Sequence, residues 1–287
     1  SGYRCSPGRD PGLNGRVRMD IDSQLDIFLF RFLEEFGYDF TGYSRDSIQR
    51  RILRIMSLWK VSDLEELLDR MLMEKTLAGN FVQQVSVPLT TLYRDPAVSL
   101  ALRQQVIPYL STFPLIRTWV AGCSTGEEAY SMAILLNESG LLERSLIYST
   151  DLNPVSVERA SMGLFPLENL GEFADNYVSS GGTRDLSDYY SPKLGSISFN
   201  DELRSRMVFS THNLASDSSF NSFQLILCRN VLIYFRRSLQ GSVMELFHTS
   251  LENGGFLGLG PKETLLFSSL RDRFQQVGDQ KIWRKIN

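Results

Sequence analysis

At 287 residues the chain is long enough for two domains that each bury a core. Its 43% hydrophobic and 22% charged content is ordinary for a soluble globular protein, and a net charge of −3 gives no global pull toward nucleic acid or anionic membrane. Three scattered cysteines (Cys5, Cys123, Cys228), two histidines and no C-x-x-C argue against a zinc site and for a reducing cytoplasm. No apolar run reaches the length of a membrane span and no secretory signal is visible. The expectation is a cytoplasmic monomer with no metal, no nucleic-acid partner and no membrane insertion.

Residues 1–18 are rich in glycine and arginine, lack periodicity and precede Met19; they read as a vector remnant. Residues 19–84 are helical in pattern throughout. Leu25, Phe28, Leu29 and Phe32 recur at three- and four-residue spacing, as do Ile48, Ile52 and Ile55, then Leu64, Leu67, Leu68 and Met71. This predicts a small all-α domain. Residues 85–96, VSVPLTTLYRDP, read as an extended linker carrying a lone arginine, Arg94. From 97 to 287 strands alternate with helices. Strands are expected near 116–122, 146–151, 206–210, 223–229 and 255–260, and helices over 97–111, 127–139, 154–162 and 236–251. Such alternation implies an α/β domain with a largely parallel sheet covered on both faces. The Ser-, Gly- and Tyr-rich stretch 179–200 reads as a hairpin-like excursion from it.

Residues 116–131, IRTWVAGCSTGEEAYS, predict a buried strand, a turn framed by Gly122 and Gly126, and a helix start. A second strand, LIYSTD, ends in Asp151, at the carboxyl edge where ribose hydroxyls bind in open parallel sheets. The competing role for Asp151 is to cap the following helix. The loop lacks G-x-G-x-x-G and the P-loop Lys-Ser/Thr, so it is no phosphate cradle. Carboxylates at Glu127 and Glu128 would repel phosphate but suit a sulfonium or an amino group. A nucleoside without phosphates fits, which points to S-adenosylmethionine. Thr125 and Glu128 also have capping-box spacing, so Glu128 has a purely structural alternative. A third strand, in FQLILCRNVLIYF, ends in Cys228-Arg229-Asn230, with Tyr234 following. An Arg-Asn pair directly after a buried strand is unexpected as packing. Cys123 and Cys228 read as small buried hydrophobes. Arg50, Arg51 and Arg54 lie opposite or beside the isoleucine face of the second helix, a solvated surface or a docking site for an acidic helix.

Together VSVPLTTLYRDP, AGCSTGEEAYS, YSTDLN, THNL and LCRNVLIYF resemble CheR, the chemoreceptor glutamate methyltransferase family, over nearly all of 20–287. The resemblance implies a class I methyltransferase domain (a Rossmann-like, doubly wound, mostly parallel sheet) at 97–287. It also implies a small β-subdomain inserted at about 165–205, preceded by the all-α domain. It implies S-adenosylmethionine as cofactor and S-adenosylhomocysteine as product. Cofactor contacts are implied for Thr90, Arg94, Gly122, Glu128, Asp151, Asn213, Leu214, Cys228 and Arg229. Arg94 and Tyr234 match the positions nearest the methyl group. Arg50, Arg51 and Arg54 match the surface that meets a receptor's methylation helices, so the implied partner is the cytoplasmic helical domain of a chemoreceptor or related signalling protein.

Three departures accompany the match. Pro88 replaces a usual asparagine, GLGPKETL replaces a Gly-His-Ser-Glu segment but keeps Glu263, and 179–200 is longer than the usual subdomain. They predict a divergent member that works without a receptor's C-terminal pentapeptide. A cofactor-binding regulatory module and a methyltransferase acting on a non-receptor signalling protein are the alternatives. A dinucleotide oxidoreductase is disfavoured by the missing third glycine.

Overall fold

The structure, a computed structural model, describes residues 12–86, 90–266 and 268–286, with side chains from Gln24 onward. It divides into two compact units, Ser1–Val85 and Ser86–Asn287. Among the described residues, no helix is long and apolar enough to cross a membrane.

The first unit holds four helices: α1 (Gly12–Phe36), α2 (Arg45–Trp59), α3 (Leu64–Met73) and α4 (Lys75–Val85). The first begins upstream of Met19, so residues 12–18 lie in its first turns, and residues 1–11 lie outside the described part. The apolar periodicity becomes one core. Phe32 lies against Phe81 with ring centroids 4.8 Å apart, and Phe28 and Phe40 close around the same ring. Asp63 caps α3 by accepting the Glu66 amide at 2.8 Å.

In the second unit α5 (Pro96–Ala101) passes through a π-helical turn, Leu102–Val106, into α6 (Ile107–Leu110). Pro108 has no amide to donate, and the widened turn before it accommodates the missing bond. Then follow β1 (Ile116–Ala121), α7 (Glu127–Glu138), β2 (Ser145–Asp151), α8 (Pro154–Met162), β3 (Leu164–Pro166) and α9 (Leu170–Ser179). After them come β4 (Tyr190–Lys193), β5 (Ser196–Phe199), α10 (Asp201–Arg204), β6 (Met207–Thr211) and β7 (Phe223–Cys228). The chain ends with α11 (Arg237–Ser250), β8 (Leu251–Leu259), β9 (Phe274–Gln276) and β10 (Ile282–Lys285).

Seven strands form one sheet in the order β6-β2-β1-β7-β8-β10-β9. From β6 to β8 every pairing is parallel; β10 runs antiparallel to both its neighbours. Strand order reverses between β1 and β7, so the crevice beyond their carboxyl ends is the expected ligand position. β1 and β7 are buried almost end to end, as central strands covered on both faces must be. The predicted excursion is a separate three-stranded antiparallel sheet, β3-β5-β4. It is seated on α7 through Tyr130, which stacks on Phe199 at 4.8 Å and meets Phe165 edge-on at 5.4 Å.

Candidate active site

The loop between β1 and α7 owes its shape to three left-handed residues, Gly122 (φ 76°), Ser124 (φ 51°) and Gly126 (φ 101°). Glycine meets that geometry without strain and serine does not. The bend lets the amides of Gly122 and Cys123 both donate to the Thr150 carbonyl, at 2.8 and 2.9 Å. The Ser124 amide donates to Asp151 Oδ2 at 2.9 Å. The other oxygen of Asp151 accepts the Asn153 amide at 2.9 Å. The loop is thus tied to the tip of β2. Asp151 does not cap α8: Asn153 does, accepting from Val155 at 3.0 Å. Burial pushes the Asp151 acid up while the amides of Asn153, Ser124 and Leu152 pull it down. Three amide donors leave the carboxylate about one lone-pair site for a hydroxyl donor.

The predicted capping box does not form. The residue before α7 is Gly126, with no side-chain cap. Thr125 instead donates its hydroxyl to Glu127 at 2.7 Å. Glu127 is buried, and burial raises its acid to about 7 against the opposing Thr125 bond. Glu128 turns away from the helix start to accept from Arg229 Nη1 at 2.7 Å. A guanidinium 101 residues away outcompetes the local amide because a charge-assisted bond is about twice as strong as a neutral one.

Arg229 organises the adjoining wall. Its side chain is 5% exposed and donates to Glu128, to Asp95 Oδ2 at 2.6 Å and to the Arg94 carbonyl at 3.1 Å. Two carboxylates thus share one guanidinium, and Arg94 lines the same void as a second. The segment bearing Arg94 is itself pinned to α7, since the Tyr93 amide donates to Ser131 Oγ at 2.8 Å. Tyr93 and Asp95 are both left-handed (φ 52° and 55°), so the backbone zigzags around Arg94. Arg94, Glu128 and Arg229 share a void of about 20 Å³ with Ser131, room for about one water. Beyond Asp95 a larger cavity of about 400 Å³ opens between Pro96–Val98, the end of β8 at Leu259, and residues 279–281.

After β7 the chain makes a tight turn. Asn230 has φ 61°, and Leu232–Tyr234 form a 3-10 turn. Val231 packs on the glycine loop: a β-carbon on Gly122 would lie 2.4 Å from Val231 Cγ2. The turn is held by Glu263, whose oxygens accept amides of residues 230, 231 and 232 and of Gly260. Cys123 and Cys228 are buried free thiols, and burial pushes both well above the ordinary thiol range. Neither is a nucleophile at neutral pH. Cys228 can offer a ligand only its backbone.

The other predicted residues fall as follows. Asn213 lies two residues past the Asp151–Thr211 register pair, at the same edge as Asp151. Its Oδ1 accepts the Ala215 amide at 2.9 Å and its own amide donates to Asp217 at 2.9 Å. Leu214 beside it and Thr90 are half-buried. Pro88 lies outside the described residues. In the first unit, Arg50 and Arg54 are exposed on α2 while Arg51 donates to the Val85 carbonyl. Sequence reading passed over Ser124, Asp95 and Val231, and gave Glu263 no role. Asp95 before Pro96 and a solitary acid in GLGPKETL were the available signals. Among the described residues no group of three or more His, Cys, Asp or Glu side chains could hold a metal.

Comparison with known proteins decides the family. Residues 89–282 match the "CheR methyltransferase, SAM binding domain" family and residues 25–86 its "CheR methyltransferase, all-alpha domain". The chain belongs to the CheR methyltransferase family. It is 43% identical over 267 residues to "Putative methyltransferase Cher3" of Pseudomonas putida, covering 93% of this chain and 98% of that one. It is 29% identical to the "Chemotaxis protein methyltransferase" of Listeria innocua, covering 86% of this chain and 92% of that one. Identity is also 29% to "Chemotaxis protein methyltransferase 1" of Pseudomonas aeruginosa, over 88% of this chain and 94% of that one. This CheR protein is therefore a methyltransferase that uses S-adenosylmethionine. The donor set fits that cofactor: carboxylate acceptors for a hydroxyl and an ammonium, and a guanidinium for a carboxylate.

Proposed function

We propose that this CheR methyltransferase methylates glutamate side-chain carboxylates of a chemoreceptor-like helical protein, giving glutamate methyl esters and S-adenosylhomocysteine. The observation that carries the reading is the Glu128–Arg229–Asp95 clamp, closed over the backbone of Arg94 on the same sheet edge as Asp151. It joins the cofactor wall to the residue best suited to meet an acidic acceptor. Asp151 would take a ribose hydroxyl. Glu128 and Arg229 would exchange part of their mutual pairing for the ammonium and carboxylate of the methionine moiety. Gly122, Asn213, Leu214, the backbone at Cys228 and Thr90 would complete the enclosure.

When bound, S-adenosylmethionine supplies an electrophilic methyl on a sulfonium. The acceptor carboxylate, with an ordinary pKa of about 4.3, is already ionised at pH 7, so no residue has to remove a proton. What remains for the protein is orientation. Arg94 would hold the carboxylate by paired hydrogen bonds and Tyr234 by its hydroxyl. The 400 Å³ cavity beside Asp95 offers room for acceptor side chains on this edge. Arg50 and Arg54 on α2 would meet the acidic helices, with Arg51 buttressing α2. Both edges of the small sheet carry a proline, Pro166 in β3 and Pro192 in β4. Each removes an amide that an added strand would use, which favours docking without a C-terminal peptide.

The test is transfer of labelled methyl to cytoplasmic receptor fragments, with release as methanol in mild base. Base-stable label, or cofactor binding without transfer to any receptor, would overturn the receptor-glutamate reading. The second outcome would favour a non-receptor signalling substrate.

A further inference from the structure

Glu263 sits in the turn after β8, in the segment where this chain departs from the family pattern. Its side chain is buried, yet no cation pairs with it among the described residues. Four backbone amides solvate it instead. Gly260 and Asn230 donate to Oε2 at 2.6 and 3.0 Å, and Val231 and Leu232 donate to Oε1 at 2.8 Å each. Two donors per oxygen use up the lone-pair sites of an ionised carboxylate. Glu263 therefore has no capacity left to touch cofactor or acceptor, and any influence on the reaction passes through what it holds.

It holds the turn that carries the site. Arg229 immediately precedes the three anchored amides, and Tyr234 closes the 3-10 turn that starts at the last of them, its amide donating to the Val231 carbonyl at 3.1 Å. The left-handed backbone at Asn230 is costly for a residue with a β-carbon, and the amide bonds on either side offset that cost. Val231, fixed by Oε1, presses on Gly122 and so couples this turn to the loop tied to Asp151. The fit is tight from behind as well: a β-carbon on Gly260 would lie 2.7 Å from Glu263 Oε2 and 2.8 Å from the Asn230 nitrogen.

We propose that Glu263 is a positioning residue whose carboxylate sets the 229–234 turn, and through it both cofactor affinity and the placement of Tyr234. The effect on Tyr234 rests on the glutamate-methylation reading; the effect on cofactor affinity does not. Glu263→Gln keeps the size but turns an amide NH₂ toward two backbone donors, so two of the four bonds are lost. In the full chain, calorimetric titration with S-adenosylhomocysteine should show binding near one per chain, weakened on the order of 10- to 100-fold. Methyl-transfer kcat should fall in addition to the rise in cofactor KM. A reduced stoichiometry with unchanged affinity would mean a folding role only and overturns the proposal, as does wild-type affinity at full stoichiometry.

Gly260→Ala displaces the same turn while leaving the carboxylate in place and must weaken binding in the same way. Wild-type affinity in that variant also overturns the proposal, including where E263Q does not fold. Lys262→Ala, in the same turn but outside the network, should bind as wild type does. If the glutamate reading fails, wild-type protein transfers no methyl to receptors while these binding differences persist, so the two failures are distinct.

Discussion

Glu127 begins α7 with its carboxyl in the interior, and burial keeps its proton to about pH 7 instead of the ordinary 4.5. The sign of the consequence follows from proton counting. Between those values the folded chain binds more protons than the unfolded chain, so stability falls as pH rises through this window. Above pH 7 the penalty is fully present. Glu127→Gln, which accepts the same Thr125 hydroxyl without a charge, should match wild type near pH 4.5. At pH 8 it should be more stable by about 1–3 kcal/mol. Melting curves of both proteins across pH 4.5–8 check this; a constant difference would show that the Glu127 carboxyl does not titrate in the window. At this scale Asp151 and Arg229 were visible in sequence because each ends a buried strand with a charge. Their partners were not. Ser124 meets Asp151 from 27 residues away and Asp95 meets Arg229 from 134, and no local pattern encodes such separations.

Among the elements, the glycine loop depends on β7 as much as on its own sequence. Gly122 is left-handed, and any β-carbon there meets Val231. Gly122→Ala is expected to cost about 1–3 kcal/mol from the clash and the φ together. Val231→Ala in the same chain should remove the clash but not the backbone strain, recovering part of the loss. Urea unfolding of the two variants measures this, and no recovery in the double variant would discard the contact as the cause. The main parallel strands and α7, α8 and α11 were readable from apolar runs and periodicity. β9 and β10 were not, because three- and four-residue strands depend on pairing with β8 more than on their own pattern. The capping box failed for a related reason: Thr125 and Glu128 have the right spacing, but Glu127 and Arg229 are stronger partners.

Over the whole molecule, the proposed function places acceptor docking on α2 of the first unit and methyl chemistry in the second. Reversing both exposed charges, Arg50→Glu with Arg54→Glu, should raise the acceptor KM roughly ten-fold. Affinity for S-adenosylhomocysteine should stay within about two-fold, since these residues belong to a different unit from Asp151 and Glu128. Steady-state kinetics against a receptor fragment, paired with titration of the product, separates the two effects. An unchanged acceptor KM would remove α2 from the docking surface, and a parallel loss of cofactor affinity would mean the units do not divide the work. The net charge of −3 makes a local cationic patch the only electrostatic route to an acidic partner.

The sequence by itself determined the α-then-α/β plan, the strand ends that carry Asp151 and Arg229, and a glycine loop unfit for phosphate. Those features are local: they follow from periodicity, burial and the chemistry of two carboxylates near a helix start. Only the tertiary structure decided what Glu128 does, what holds Arg229 and why Glu263 is buried. Each of those depends on which distant group arrives at hydrogen-bond distance in a water-poor site, where a charge takes the strongest partner within reach and spacing along the chain no longer selects it.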